Sequence, residues 1–200
     1  MTSRIFSSGI RRREDPRLIT GQASYTDDIK LPDMAYAAIL RSPYAHARIT
    51  SIDTSEAAAQ EGVLGVFTGE DAASLNPVPC AWLIPDSDLK AVDHPAIARD
   101  VVRYPGEAVA VVVAESRYQA EDALGLIDVE YDPLPVVVDP EKATHSGAPQ
   151  LHEDAPGNQA FHWVVSGGDT DAAFEDADVV VEERIVHQRL TPMAIEPRAC

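Results

Sequence analysis

The forty residues from Val101 to Pro140 constrain the fold more than any other part of the chain. Ala108 to Ala114 reads AVAVVVA, a valine-dominated run without polar alternation, which suits a central strand buried on both faces. Ser116 follows, three residues before Gln119. At that spacing an N-cap hydroxyl and an N3 side chain can each satisfy an orphan backbone donor, so a helix begins there. Ala120, Ala123, Leu124 and Ile127 recur at i, i+3, i+4 and i+7 and put an apolar stripe on one side, while Arg117, Glu121 and Asp122 face water. Asp128 to Tyr131 and Leu134 to Val138 resume extended character, and Pro133, Pro135 and Pro140 place the break between them at an edge or bend. The unit is strand, capped helix, kinked strand.

Around this block the pattern mixes short helices with strands that need not all be parallel. The expected class is α+β, a mixed sheet with short helices. Met34 to Arg41 and Arg48 to Asp53 read as strands, with Ser42-Pro43-Tyr44 between them suggesting a hairpin-like pair. Asp53 and Glu56 repeat the capping spacing, Gly62 ends a short alanine-rich helix, and Val63 to Phe67 returns as a strand. Asn76 to Arg99 carries four prolines without periodicity and is a long surface excursion; His145 to Gln159 is a second. Phe161 to Ser166 reads as a strand, Asp169 caps a helix through Phe174, and Ala177 to Leu190 reads as a long strand. The organisation expected is a loose arm over residues 1–15, one compact domain over 16–178, and the start of another over 179–200. The chain reads as interrupted at Cys200, just after a strand.

Composition narrows the partners. With 45% hydrophobic residues over 200 positions the chain can bury a sizeable core. A formal charge of −17 sets its field against phosphate backbones and anionic lipid, which argues against nucleic acid and membrane partners. Cys80 and Cys200 are the two cysteines, too few for a disulfide framework, and fit a reducing, cytoplasmic compartment. No apolar stretch reaches the roughly 20 residues that span a bilayer. Arg11 to Arg13 is followed by Glu14, Asp15 and Pro16 where an export signal needs an apolar segment.

No catalytic constellation is legible. Gly167-Gly168-Asp169 lacks the spacing of a dinucleotide or phosphate loop and reads as a turn with an N-cap. The six histidines (His46, His94, His145, His152, His162 and His187) have no metal-ligand spacing, so no metal ligand is assigned. Cys80 has no cationic neighbour in sequence to lower its pKa. Glu107 leads from Gly106 into the buried run and is the carboxylate most worth weighing, though a locally hydrogen-bonded strand entry explains it better. No residue is assigned a catalytic role.

Four segments carry a resemblance. RLITGQASYTDDIKLPDMAYAAILRSP from Arg17, Tyr104 to Tyr131, Gly167 to Glu182 and the closing HQRLTPMAIEPRAC resemble, in order, the start of the large subunit of the molybdenum hydroxylases. These are the xanthine dehydrogenase, aldehyde oxidase and carbon monoxide dehydrogenase enzymes. The resemblance implies the α/β hammerhead domain that precedes the molybdopterin-binding domains. It also implies a pyranopterin molybdenum cofactor, in the cytosine dinucleotide form, in the complete subunit. The activity implied is oxidative hydroxylation of aldehydes or N-heterocycles, or oxidation of carbon monoxide. Electrons would leave through 2Fe-2S clusters to FAD on an iron–sulfur subunit and an FAD subunit. The family's GGGFG segment, active-site loop and late catalytic glutamate correspond to positions beyond Cys200, so the 200-residue chain alone is expected to be inactive and to bind no molybdenum. Gln188 is the candidate for the family's glutamine near the metal's apical ligand, although its separation from Glu196 is about two residues longer than the family pattern. The alternative is a free-standing assembly module that docks onto a separate chain carrying the molybdopterin-binding domains.

Overall fold

The computed structural model describes residues 12–80, 85, 87–188, 190, 191, 193, 194 and 196. Most of the expected N-terminal arm and Cys200 lie outside the described residues. In chain order the main elements are α1 (Asp15–Ile19), β1 (Tyr36–Arg41), β2 (Ala47–Asp53), α2 (Ser55–Ala58), β3 (Val63–Thr68), β4 (Val101–Val102), β5 (Ala108–Ala114), α3 (Arg117–Leu124), β6 (Asp128–Pro133), α4 (Pro140–Ala143) and α5 (Thr170–Glu175). Two compact units result: one spans Ala35–Ala177, the other joins Met1–Met34 to Asp178–Cys200.

The first unit holds two three-stranded antiparallel sheets, ordered β1-β5-β3 and β4-β2-β6. The architecture is α+β, and the expected central strand is central: β5 lies between β1 and β3. Ala110, Val112 and Ala114 point from β5 toward Ala120 and Ala123 of α3 and are all buried. Val109 points the other way, into a second cluster with Ala47, Ala98 and Val102. Ile52 and Val129 pack against both clusters and join the sheets through one core.

The capped helix is where the sequence puts it. The Ser116 hydroxyl accepts from the Gln119 backbone N–H at 3.3 Å. The Gln119 side chain does not complete the reciprocal box; its Nε2 donates instead to the Glu61 carbonyl at 3.2 Å. That fastens α3 to the turn at Gly62, whose φ of +82° only glycine adopts freely. A Cβ there would collide with Gln119 Nε2, so the glycine also makes room for the fastening.

Several expectations are corrected. β1 and β2 do not form a hairpin: β1 pairs with β5, and β2 with β4 and β6. After β1 the Ser42 N–H donates to the Glu107 carbonyl at 2.8 Å, so the chain keeps to β5 rather than folding back on β1, and Pro43 then has no N–H for a ladder. The second extended piece, Leu134 to Val138, is no strand, because Pro133 and Pro135 remove the donors that would continue β6. A short helix follows instead: the Asp139 carboxylate accepts from the N–H groups of Glu141 and Lys142, with Pro140 at N1. Neither Phe161 to Ser166 nor the described part of Ala177 to Leu190 is a strand. Both have strand-like composition, but no described segment offers them a ladder, and a strand is stabilised by its cross-strand neighbours.

Candidate functional site

The region most able to hold a site is the corner where β4 turns into β5, because a buried carboxylate sits there. Glu107 is 6% exposed. Its Oε2 accepts from the Arg103 backbone N–H at 2.6 Å, its own carbonyl accepts from Ser42 N–H, and its N–H donates to the Tyr104 carbonyl. Gly106, with φ of +90°, supplies the left-handed bend that lets the side chain turn back on its own loop. The Gly106 carbonyl accepts from Arg41 Nη1 at 2.8 Å. Glu107 is thus a lock on the strand entry, as its sequence context suggested. Arg103 extends the lock, its Nε donating to the Leu151 carbonyl at 2.9 Å, which holds the second long excursion against β4.

Around this lock the structure gathers histidines that sequence spacing left scattered. His46 is buried and its Nδ1 lies 2.8 Å from the Pro135 carbonyl, a contact that requires Nδ1 to carry the proton. His94 and His152, from the two long excursions, meet edge to face with ring centroids 5.8 Å apart. Burial pushes the His152 imidazole below the ordinary histidine range; the nearby charge of Arg103 and the rings of His94 and His46 add to this, while Asp154 opposes it. No local signal could have revealed the pair, since only the folded loops bring it together. Among the described residues no group of three or more His, Cys, Asp or Glu side chains is placed to hold a metal ion.

Beside the corner a cavity of about 410 Å³ opens between the turn after β3 and the segment before β4, lined among others by Gly69, Leu75, Pro77, Asp93, Arg99 and Arg103. Its cations are already engaged: Arg99 Nε bonds Glu70 at 2.8 Å, and Arg103 bonds backbone carbonyls. Gly167-Gly168-Asp169 is the expected turn and cap, with Gly168 at φ of +73° and Asp169 Oδ1 accepting from Ala172 N–H at 3.1 Å.

Gln188 is exposed, on backbone that is neither helix nor strand. In the same compact unit Glu196 Oε1 accepts from Thr26 N–H at 2.5 Å; the two hydrogen bonds from Thr26 hold its carboxyl below the usual range. Glu196 thereby braces the turn at Thr26–Asp28, a role that no local sequence signal marks. The described residues around Gln188 form no buried polar cradle, and they hold no ligand cluster.

Comparison with known proteins adds what geometry cannot. Residues 20–135 match the family model described as the aldehyde oxidase and xanthine dehydrogenase a/b hammerhead domain, and residues 151–200 match a molybdopterin cofactor-binding domain. The carbon monoxide dehydrogenase large chain of Afipia carboxidovorans is 40% identical over 95% of this chain and 24% of its own length. The nicotine 6-hydroxylase large subunit of Paenarthrobacter nicotinovorans is 38% identical over all of this chain and 24% of its own. The aldehyde oxidoreductase structure from Desulfovibrio gigas superimposes with a TM-score of 0.72 at 30% identity, covering 84% of this chain and 19% of the other. The chain spans about a quarter of the length of the curated relatives it matches.

Proposed function

Since this chain belongs to the aldehyde oxidase and xanthine dehydrogenase family, we propose that it is the hammerhead scaffold of a molybdenum hydroxylase large subunit, whose chemistry is performed by portions of that subunit outside these 200 residues. The observation that carries the reading is the match of residues 20–135 to the hammerhead model, in a unit whose buried polar groups are spent on holding loops. The organisation that goes with it is an arm over 1–15, the hammerhead over 16–178 and the first part of the molybdopterin-binding region over 179–200; the order of the two family matches supports the order of these regions, although the second match begins at residue 151, ahead of that boundary. Gln188 would then reach the neighbourhood of the metal only after the rest of that region folds around it.

In the complete subunit the reaction is the oxidative hydroxylation of an aldehyde or N-heterocycle, or the oxidation of carbon monoxide. The molybdenum–pterin cofactor, as its cytosine dinucleotide, supplies the two-electron oxidation. Partner iron–sulfur and FAD subunits take the electrons onward. The hammerhead residues of this chain hold the fold that the rest of the subunit builds on. The similar proteins act on carbon monoxide and on nicotine by their names, so the scaffold itself does not select the substrate.

The test is purification of the protein from its source with metal analysis. Molybdenum is expected to co-elute with the chain only in a species several times its own mass. Stoichiometric molybdenum on the isolated 200-residue chain, or a native complex without molybdenum, overturns the reading.

A further inference from the structure

The two long excursions are fastened to each other and to β4 by contacts far apart in sequence. Arg103 Nε donates to the Leu151 carbonyl at 2.9 Å, Lys90 N–H to the Ala160 carbonyl at 2.8 Å, and His162 N–H to the Asp88 carboxylate at 2.7 Å. Among these bonds the rings of His94 and His152 meet with centroids 5.8 Å apart. The second excursion is also braced within itself. The Asn158 side chain donates to the Ala143 and Pro149 carbonyls and accepts from Leu151 N–H. The Gln150 side chain donates to the His152 and Ala155 carbonyls and accepts from Gly157 N–H. Residues 143–158 therefore move as one piece, and the contacts across to Arg103 and the first excursion are the ones that break when they do. That loop is also the connection between the two family matches, since the first ends at residue 135 and the second begins at 151.

The charges at this clasp are unbalanced. The charged or titratable groups facing His152 are Arg103 beside β4, His94 on the first excursion, His46 at the entry to β2 and Asp154 on its own loop. The first is a fixed cation, the next two are imidazoles, and Asp154 is the anion among them. While His94 and His152 are neutral, ring packs on ring without repulsion. A proton on His152 sets an imidazolium against Arg103 and, once His94 is charged as well, against a second imidazolium. Like charges this close in a partly desolvated contact repel.

We propose that the His94–His152 contact is an acid-released latch: protonation of the two rings detaches the braced loop over residues 143–158 from Arg103 and the first excursion, and so frees the start of the second family-matched region from the hammerhead. The inference goes beyond the function proposed above and does not depend on it. Burial first, then the charge of Arg103, holds the His152 imidazole below its ordinary range, so the closed clasp resists a proton that the open one accepts. The clasp is closed above the ordinary histidine value of 6.5 and opens as pH falls below it. The Asp88 carboxyl, held below the usual carboxylate range by the His162 N–H, stays ionised there, so its bond is not the switch.

Hydrogen exchange of the 200-residue chain, followed amide by amide in NMR spectra and corrected for the intrinsic effect of pH, tests the latch. Between about pH 7.5 and about pH 5.5, a window that brackets histidine titration, protection of the Lys90 and His162 N–H groups should fall severalfold while that of β5 holds. His94→Gln should shrink the loss, because it removes a facing imidazolium. Asp154→Asn should enlarge it, because it removes the facing anion. A merely structural role for these side chains predicts neither the opposite signs nor the pH dependence. Equal protection at both pH values, a loss shared in equal measure by β5, or two variants that shift the loss in one direction or not at all overturn the proposal.

Discussion

Two valine-rich segments of this chain have opposite fates. In β5 the run AVAVVVA is hydrogen-bonded on both edges, and its Val109, Ala110, Val112 and Ala114 are buried. In the second compact unit Val179, Val180 and Val181 are 76%, 58% and 81% exposed, and their backbone joins no described ladder. Composition is nearly the same. The difference lies in the neighbours: β1 and β3 flank β5, and α3 roofs it, because Ser116 starts a helix immediately after the strand. A β-branched run is an offer of a strand, and the offer is taken only where other segments bring matching edges and a cover.

The largest effect expected from this comparison is at Val112, which is fully buried between the sheet and α3. Val112→Asp should unfold the Ala35–Ala177 unit, and Val112→Ala should cost about 2–3 kcal/mol, the range for deleting buried methyl groups with incomplete collapse of the cavity. Denaturant melts of the 200-residue chain measure both. A loss below about 0.5 kcal/mol for the alanine variant would mean that β5 is not the core strand.

The same contrast explains what was legible in the sequence. The buried strand and the Ser116 cap were, because each rests on local chemistry: apolar run length, and an oxygen at the right offset from an N–H. The pairing of β1 was not, because a hairpin and a crossover share the same turn residues; the choice depends on Ser42 reaching Glu107, far away in sequence. The strands expected at Phe161–Ser166 and Ala177–Leu190 failed for the reason just given, since a period-2 or apolar pattern says nothing about whether a partner edge is present. At the candidate site, the locking role of Glu107 could be read from Gly106 beside it, and the pairing of His94 with His152 could not.

A smaller effect is expected from pH at the contact of the two long excursions. His152 has its folded pKa below the unfolded value of 6.5, through burial first and then the charge of Arg103 and the neighbouring rings of His94 and His46, against Asp154. The unfolded chain therefore binds more protons in this window. Stability is full above about pH 6.5, falls as pH drops from there to the folded pKa, and levels off below it. The ring resonances of His152 in an NMR titration should turn over below 6.5, and His152→Gln should remove that part of the pH slope. A midpoint at or above 6.5 would show that the two loops do not close over the ring.

The smallest effect should come from the other half of the comparison. Val181 is 81% exposed, so Val181→Asp removes little buried area and creates no buried charge in the 200-residue chain. Its stability should change by no more than about 0.5 kcal/mol, in contrast to the same substitution at Val112. If the segment is completed only by the rest of a large subunit, the identical change should reduce the yield of molybdenum-bearing complex while leaving the isolated chain untouched. A cost above about 2 kcal/mol in the isolated chain would collapse the comparison, because that size of loss requires a buried position. It would mean that the valines at 179–181 already find a partner strand within these residues, and that the run after Ala177 is as much a core element as β5.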